Sequence, residues 1–340
     1  MILFIRSKAF FKSIVVPRSR HLLLALTSTM MLTQAQAASA YPAGGGDEFK
    51  VSKIPVELLD GADAVVRLDK RTFVVENPAK AIERVRRAVT IFNVQGRSYG
   101  EITVFYDRFR KLKSLRGWLY RADGKRIRKL KKKQDVKDYS AISGYSLYED
   151  HRAKSARLYH NVYPYTVVFE YEVAHAGLIS WPAWYPQWFL EPVEKSSYEI
   201  SVPADMPVRY YTRGMEIKPQ VRKKGHRRVL RWETGMLPKR ELEPYGPAWS
   251  VQAPSVLLAP AAFEIAGFAG DMSTWAAFGN WYQELAALRS TLPEPALAEV
   301  RGICETAATS LEKVRRIYAH LQAKTRYVSV QLGIGGWQPF

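Results

Sequence analysis

The sequence predicts a mostly β protein: an antiparallel β-sandwich followed by a C-terminal helical segment. Three observations carry that expectation. Between Ala64 and Trp232, apolar residues recur with period two over short stretches rich in β-branched and aromatic side chains. Turn signals and prolines separate those stretches, which is the style of a sandwich rather than of alternating βα units. After Pro260 the apolar spacing lengthens to that of a helix.

The strands come first. Val66 and Leu68, and after a break Phe73 and Val75, are apolar steps of one strand. Val85, Ala88 to Phe92 and Val94 form another, closed by Gln95-Gly96. Ile102, Val104 and Tyr106 alternate with other residues, and Trp118 and Tyr120 do the same before Asp123-Gly124, a hairpin dipeptide. Tyr165 to Val173, Tyr198 to Val202 and Val229 to Trp232 continue the pattern. Pro182, Pro186, Pro192, Pro203 and Pro207 mark loops or edges, because proline has no N–H for a sheet ladder.

Helices follow. Trp275 to Leu288 and Ala296 to Ala323 are helical, separated by Pro293 and Pro295. Val300, Ile303, Cys304, Ala307, Leu311, Val314, Ile317, Tyr318 and Leu321 share one face. Ser310 can cap a helix start, which allows a break near Thr309. Arg326 to Leu332 is a short strand, and Gly333, Gly335 and Gly336 make a flexible turn.

The N-terminus has the order of a secretory signal peptide over residues 1–37. Arg6, Lys8, Lys12, Arg18 and Arg20 form a basic region without acids; Leu22 to Leu32 is apolar; Ala35-Gln36-Ala37 offers a cleavage site. Apolar Ile2 to Ile5 and Phe10 to Val16 also fit an uncleaved membrane anchor. A bacterial periplasm is the expected location. Residues 38–63 are the expected linker, since Tyr41 to Asp47 is rich in Pro and Gly. The sandwich is expected over 64–255 and the helical segment over 256–340.

The chain has 340 residues and a formal charge of +19. Removing residues 1–37 takes away five cations and no acid, leaving +14. A surface this basic attracts anionic polymers. Export directs the expectation away from nucleic acid, toward an anionic envelope polymer or a protein partner. No stretch after the signal segment is long and apolar enough for a membrane span. The densest basic run, Arg126 to Lys133, intersperses Ile127 and Leu130 with charge after Asp123-Gly124. It reads as a solvated strand edge, where lysines block unwanted strand pairing.

Catalytic motifs fail on context. One cysteine excludes a disulfide framework and a zinc site built on several thiolates. No cofactor or metal is expected. Gly45-Gly46-Asp47-Glu48-Phe49 matches the signature of diguanylate cyclases but lacks an α/β nucleotide domain around it. His151, His160 and His175 have no ligand spacing and read as surface or hydrogen-bonded residues. Asp150 and His151, if on one strand, would face opposite ways.

Several stretches resemble a family of exported bacterial proteins in which a β-sandwich domain of unknown function precedes a transglutaminase-like domain. They are Val94 to Gly100, Gly144 to Asp150, Pro164 to Val173, Trp188 to Pro203 and Glu243 to Pro247. Leu311 to Lys324 followed by Thr325-Arg326-Tyr327-Val328 resembles the entry to the second, α+β domain. The resemblance implies papain-like chemistry, in which a cysteine thiolate attacks a carbonyl and a histidine oriented by an aspartate moves the proton. The family's cysteine follows Gly-Asp at a helix start, and that motif belongs after Arg326-Tyr327. The sequence reaches Phe340 without it. Cys304 follows Gly302-Ile303 inside an apolar helical face and reads as a small buried hydrophobe. No catalytic residue is therefore assigned: the expectation is the N-terminal, catalytically empty part of an exported transglutaminase-like protein whose β-sandwich serves recognition, the alternative being a stand-alone periplasmic binding module for an anionic envelope polymer or a protein partner.

The candidate binding residues are Trp181, Trp184, Tyr185 and Trp188. The run Trp181 to Phe189 holds five aromatics and two prolines. Flat rings on a proline-stiffened loop offer faces to sugars, prolyl peptides or apolar chains. The favoured alternative is that these rings fill the sandwich core or the domain junction; Trp188 and Phe189, just before a strand, fit that, and Trp181 and Trp184 are expected to be more open.

Overall fold

The computed structural model describes residues 46–338, apart from 142, 143, 145, 147, 189, 190, 242, 243, 288, 290 and 327. The expected signal peptide and residues 38–45 of the expected linker lie outside the described residues. In chain order the strands are β1 (Ala64–Asn77), β2 (Lys80–Ile91), β3 (Glu101–Tyr106), β4 (Arg110–Arg121), β5 (Arg126–Lys129), β6 (Val136–Ser140), β7 (Tyr148–Glu149), β8 (Arg152–Arg157) and β9 (Tyr165–His175). They continue with β10 (Ser196–Pro203), β11 (Val208–Arg213), β12 (Gln220–Lys224), β13 (Arg227–Thr234), β14 (Ser255–Pro260), β15 (Ala262–Ile265), β16 (Phe268–Asp271) and β17 (Val330–Gln331). The helices are α1 (Lys132–Asp135), α2 (Trp249–Gln252), α3 (Trp275–Ala287), α4 (Glu294–Cys304) and α5 (Ser310–Lys324).

The architecture is mostly β, with helices concentrated toward the C-terminus. An eight-stranded sheet runs β12-β13-β10-β1-β2-β9-β4-β5. Its pairings are antiparallel except for β1 with β10. A three-stranded sheet, β3-β8-β6, and the pair β11-β14 form the facing layer.

Period two decides which side chains meet. On β1 a register shift between Val66 and Leu68 changes the parity of the strand. Val66 therefore enters one core with Val89, Leu119 and Val167, under the three-stranded sheet. Phe73 enters a second core on the same face, with Ile200, Trp232, Val256 and Leu258. Leu68 points to the opposite face and packs near Phe49 and Tyr120. Burying each such side chain contributes about 1.5–3 kcal/mol, which is what holds the layers together.

Residues 46–63 form turns packed against the sheet rather than a free linker. Phe49, Ile54 and Leu58 are buried there. Of the cyclase-like signature, residues 46–49 make a single 3-10 turn. Phe49 plugs the outer face, Glu48 pairs with Arg86 at 2.7 Å, and Asp47 pairs with Lys50 at 2.7 Å. The motif's letters thus serve packing.

The edge reading of the basic run holds: β5 ends the eight-stranded sheet and is exposed throughout, while Leu130 turns inward. β12, the other edge, is also exposed and carries Arg222, Lys223 and Lys224.

The C-terminal third differs from expectation in four respects. β14 pairs with β11 along its whole length, so strand pairing crosses the expected boundary at 255/256. The expected strand Arg326 to Leu332 is reduced to β17, which pairs with β7 in parallel. Pro295 lies inside the first turn of α4, where a missing N–H costs nothing. The second helical stretch is broken where capping allowed it. Thr309 is the N-cap of α5 and accepts from the Glu312 N–H at 3.2 Å. Leu311, Val314 and Tyr318 on α5 remain exposed. Cys304 is half-buried rather than buried. No described helix is long and apolar enough to cross a membrane.

Candidate functional site

The inner face of the large sheet is not apolar throughout. A polar band crosses it between the two cores. Asp69 and Arg71 come from β1, Glu83 and Arg87 from β2, Tyr171 and His175 from β9, and Tyr198 from β10. Their alternation follows the strand period, so each projects to the same side. Arg71 lies 3.7 Å from Asp69 and 3.9 Å from Glu83. Arg87 binds Glu191 at 2.8 Å, and the Tyr198 hydroxyl donates to the Pro182 carbonyl at 2.9 Å. Buried polar groups of this kind must be mutually satisfied, because an unpaired one costs several kcal/mol.

One end of this band opens into a cleft of about 540 Å³. Its floor includes Glu83, Tyr171 and His175. Phe105, Arg110 and Trp181 stand on its walls, and Gln331, Gly333 and Trp337 close the far side.

The far wall is docked by several independent contacts. β17 adds to β7, and the Ser146 hydroxyl donates to the Ser329 carbonyl at 3.1 Å. Ile334 packs on the cluster of Phe263, Ile265, Trp281 and Leu285. The Trp337 ring lies 6.1 Å from that of Trp281, and Gln338 donates to the Leu285 carbonyl at 2.8 Å. Gly333 has φ +55°, and a Cβ there would meet Arg108 Cδ at 2.4 Å. A glycine lets the turn lie directly on that side chain.

The cleft's charges are held in place. Asp107 accepts from the backbone N–H groups of Phe109 and Arg110, both at 2.8 Å, and from Arg110 Nε at 2.9 Å. Asp150 accepts from Arg108 Nε at 2.9 Å. His151 Nδ1 is 3.5 Å from Glu149 Oε2. His175 Nε2 is 3.2 Å from Glu83 Oε2. Burial pushes the Glu83 carboxyl upward, but the His175 hydrogen bond and the Arg71 charge outweigh it and bring it below its ordinary value. Burial raises the Tyr171 hydroxyl far out of the physiological range, so it stays protonated and can donate.

The structure corrects one sequence reading: Asp150 and His151 lie in the connection after β7, not on one strand, and both line the cleft. It also joins His151 and His175, which have no useful spacing in sequence. Of the two alternatives expected for these histidines, surface or hydrogen-bonded, His175 is the second: it is buried beside Glu83.

The four aromatic candidates separate. Trp184 is enclosed in the core, its Nε1 donating to Ser196 Oγ at 3.1 Å. Trp181 is mostly buried, 5.9 Å from the Phe73 ring, yet forms part of the cleft wall. Tyr185 and Trp188 stack edge to face at 4.4 Å, with Trp188 40% exposed. The Trp188 carbonyl accepts from Trp249 Nε1. Phe105, Phe109 and Trp337 escaped sequence reasoning, because they are single aromatics from distant segments. Only the fold brings them beside Trp181.

Cys304 sits on α4 and is not part of the cleft lining. Among the described residues, no group of three or more His, Cys, Asp or Glu is placed to hold a metal ion. The arrangement offers aromatic faces, paired charges and backbone groups around a cavity, a chemistry suited to holding a ligand.

Residues 77–241 match the family model of DUF3857, a domain of unknown function with a solved structure. No curated protein matches the chain. Among solved structures, the chain is similar to one described as a "putative protease" from Parabacteroides distasonis, at 16% identity and a TM-score of 0.56. That similarity covers 77% of this chain and 50% of that one, so the chain spans about half its length. At this identity the likeness shows the fold alone. An M1 zinc metallopeptidase from Deinococcus radiodurans aligns at 9% identity over 62% of this chain and 46% of its own, with a TM-score of 0.29. Aminopeptidase A from Legionella pneumophila aligns at 12% identity over 63% of this chain and 22% of its own, with a TM-score of 0.28. Neither score carries an argument about this chain.

Proposed function

We propose that this chain is the recognition part of an exported transglutaminase-like protein, and that its cleft holds a peptide without cleaving it. The observation that carries the reading is the cleft itself. Aromatic side chains from three separate segments, Phe105, Trp181 and Trp337, surround charges already committed to partners. Paired charges orient a bound chain by hydrogen bonds but are poor nucleophiles and poor free bases. Cys304 lies on α4 with no imidazole bonded to it among the described residues, and the papain-like mechanism needs that pairing. A longer solved structure that shares this fold is described as a "putative protease", which agrees with peptide as the ligand class. Export to the periplasm belongs to the same proposal and rests on the order of features in residues 1–37.

Titration calorimetry of the full chain with a panel of short peptides tests this. Phe105 is exposed on the cleft wall, so Phe105→Ala removes ligand contact with little effect on the core. Binding weakened about fivefold or more by Phe105→Ala, at unchanged melting temperature, is the expected result. Absence of peptide binding overturns the cleft assignment. Amide turnover that disappears on Cys304→Ala overturns the non-catalytic reading. A fusion to a reporter active only outside the cytoplasm tests export.

A further inference from the structure

The β5 edge combines two features. The first is density of unpaired positive charge. Residues 125–133 contain seven cations and no acid. Among the described residues only Arg128 forms an ion pair, with Asp135. Lys125, Arg126, Lys129, Lys131, Lys132 and Lys133 are exposed and form no ion pair with a described residue. The second feature is an open groove beside that strand, of about 580 Å³. Leu119, Ile127 and Val162 give it an aliphatic lining, while Arg121, Arg128 and His160 stand around it. Val162 is 65% exposed and Ile127 40% exposed, an apolar surface that a polyanion alone would not use.

We propose that this edge docks on an anionic lipid surface. Phosphate headgroups would meet the lysines and arginines, and Ile127 and Val162 would enter the headgroup boundary. Clustered basic side chains bind such surfaces roughly additively, and aliphatic insertion adds a part that salt does not screen. Lysine suits the role, because its long stem lies along apolar surface while the ammonium reaches phosphate. The position also fits. β5 closes one end of the sheet, so a flat partner can approach it without touching the peptide cleft, which β2, β9 and the C-terminal segment build.

The experiment is cosedimentation of the full chain with vesicles of phosphatidylcholine alone or with about one-third phosphatidylglycerol. The wild-type chain should sediment with the anionic vesicles and not with the neutral ones. The triple variant Lys131→Gln, Lys132→Gln, Lys133→Gln should lose at least about tenfold in partitioning. The matched triple Arg222→Gln, Lys223→Gln, Lys224→Gln removes the same charge from the opposite edge and should stay within about twofold. The double variant Ile127→Ser, Val162→Ser should lose the binding that persists at raised salt. Equal losses from the two charge triples would mean a net-charge effect and overturn the assignment. Full binding by the double serine variant at raised salt would mean that neither aliphatic side chain enters the headgroup boundary, and would overturn it too. Failure of the wild type to bind anionic vesicles ends the proposal outright.

Discussion

His175 Nε2 lies 3.2 Å from Glu83 Oε2, across adjacent antiparallel strands and on the floor of a cleft. The two residues are diagonal neighbours: Glu83 faces Val173 in register, and His175 faces Ala81. Both are largely enclosed, and Arg71 approaches the same carboxylate. The pair joins the polar band of the sheet to the cleft.

This geometry sets an acid limit on stability. The Glu83 carboxyl titrates below its ordinary value in the folded chain. A depressed carboxylate stabilises the fold above the unfolded pKa of about 4.3 and loses that contribution as pH falls through the folded value. Glu83→Gln should therefore cost about 1–3 kcal/mol at neutral pH and clearly less at about pH 3. Urea unfolding of both proteins at the two pH values measures the gap. An equal gap at both would show that the carboxylate's charge contributes nothing.

The aromatic run should separate by energy as it separates by position. Trp184 is fully enclosed and hydrogen-bonded, so Trp184→Ala should cost about 3–5 kcal/mol. Trp188→Ala should cost under about 1 kcal/mol, because much of that ring already meets solvent. Denaturant midpoints for the two variants check this, and similar costs would contradict the burial described.

Gly46 and Gly124 bring two segments into backbone contact. A Cβ on Gly46 would stand 1.6 Å from the Gly124 oxygen, and Gly124 has φ +81°. Gly124→Ala should cost about 1–3 kcal/mol through strain and overpacking. Phe49→Ala should cost about 3 kcal/mol by emptying the plug on the outer face. Both changes act on one docking event, so the double variant should lose less than their sum. Full additivity would mean that the turn at residues 46–49 and the loop at Gly124 are energetically separate.

Cys304 offers a chemical check. It is half-buried, with its thiol outside the cleft lining. Cys304→Ala should change stability by under about 1 kcal/mol and leave peptide binding untouched. A thiol-specific reagent should label the native chain slowly but completely, whereas a catalytic thiolate would react at once.

The strands were legible where one face alternates cleanly. Tyr165 to Val173 and Tyr198 to Val202 declare themselves by β-branched and aromatic steps, and both are strands. The exposed β12 was not, since Gln220 to Lys224 carries almost no apolar signal. The hairpin of β15 and β16 was hidden by Ala and Gly, which pack through backbone proximity; Gly270 would clash with Phe263 if it bore a Cβ. The cleft was least legible. Its parts come from segments up to about two hundred and fifty residues apart, and no local pattern announces that Glu83 and Trp337 share a cavity.

The parallel pairing of β1 with β10 has a temporal meaning. Asp69 must wait for Ser196, and Val74 for Ser201, before the middle of the sheet has both neighbours. A ribosome delivering residues in order leaves that central ribbon half-clad for most of the synthesis of the domain. Long loop closure of this kind is slow, so assembly should be a late, cooperative event rather than a gradual accretion from the N-terminus.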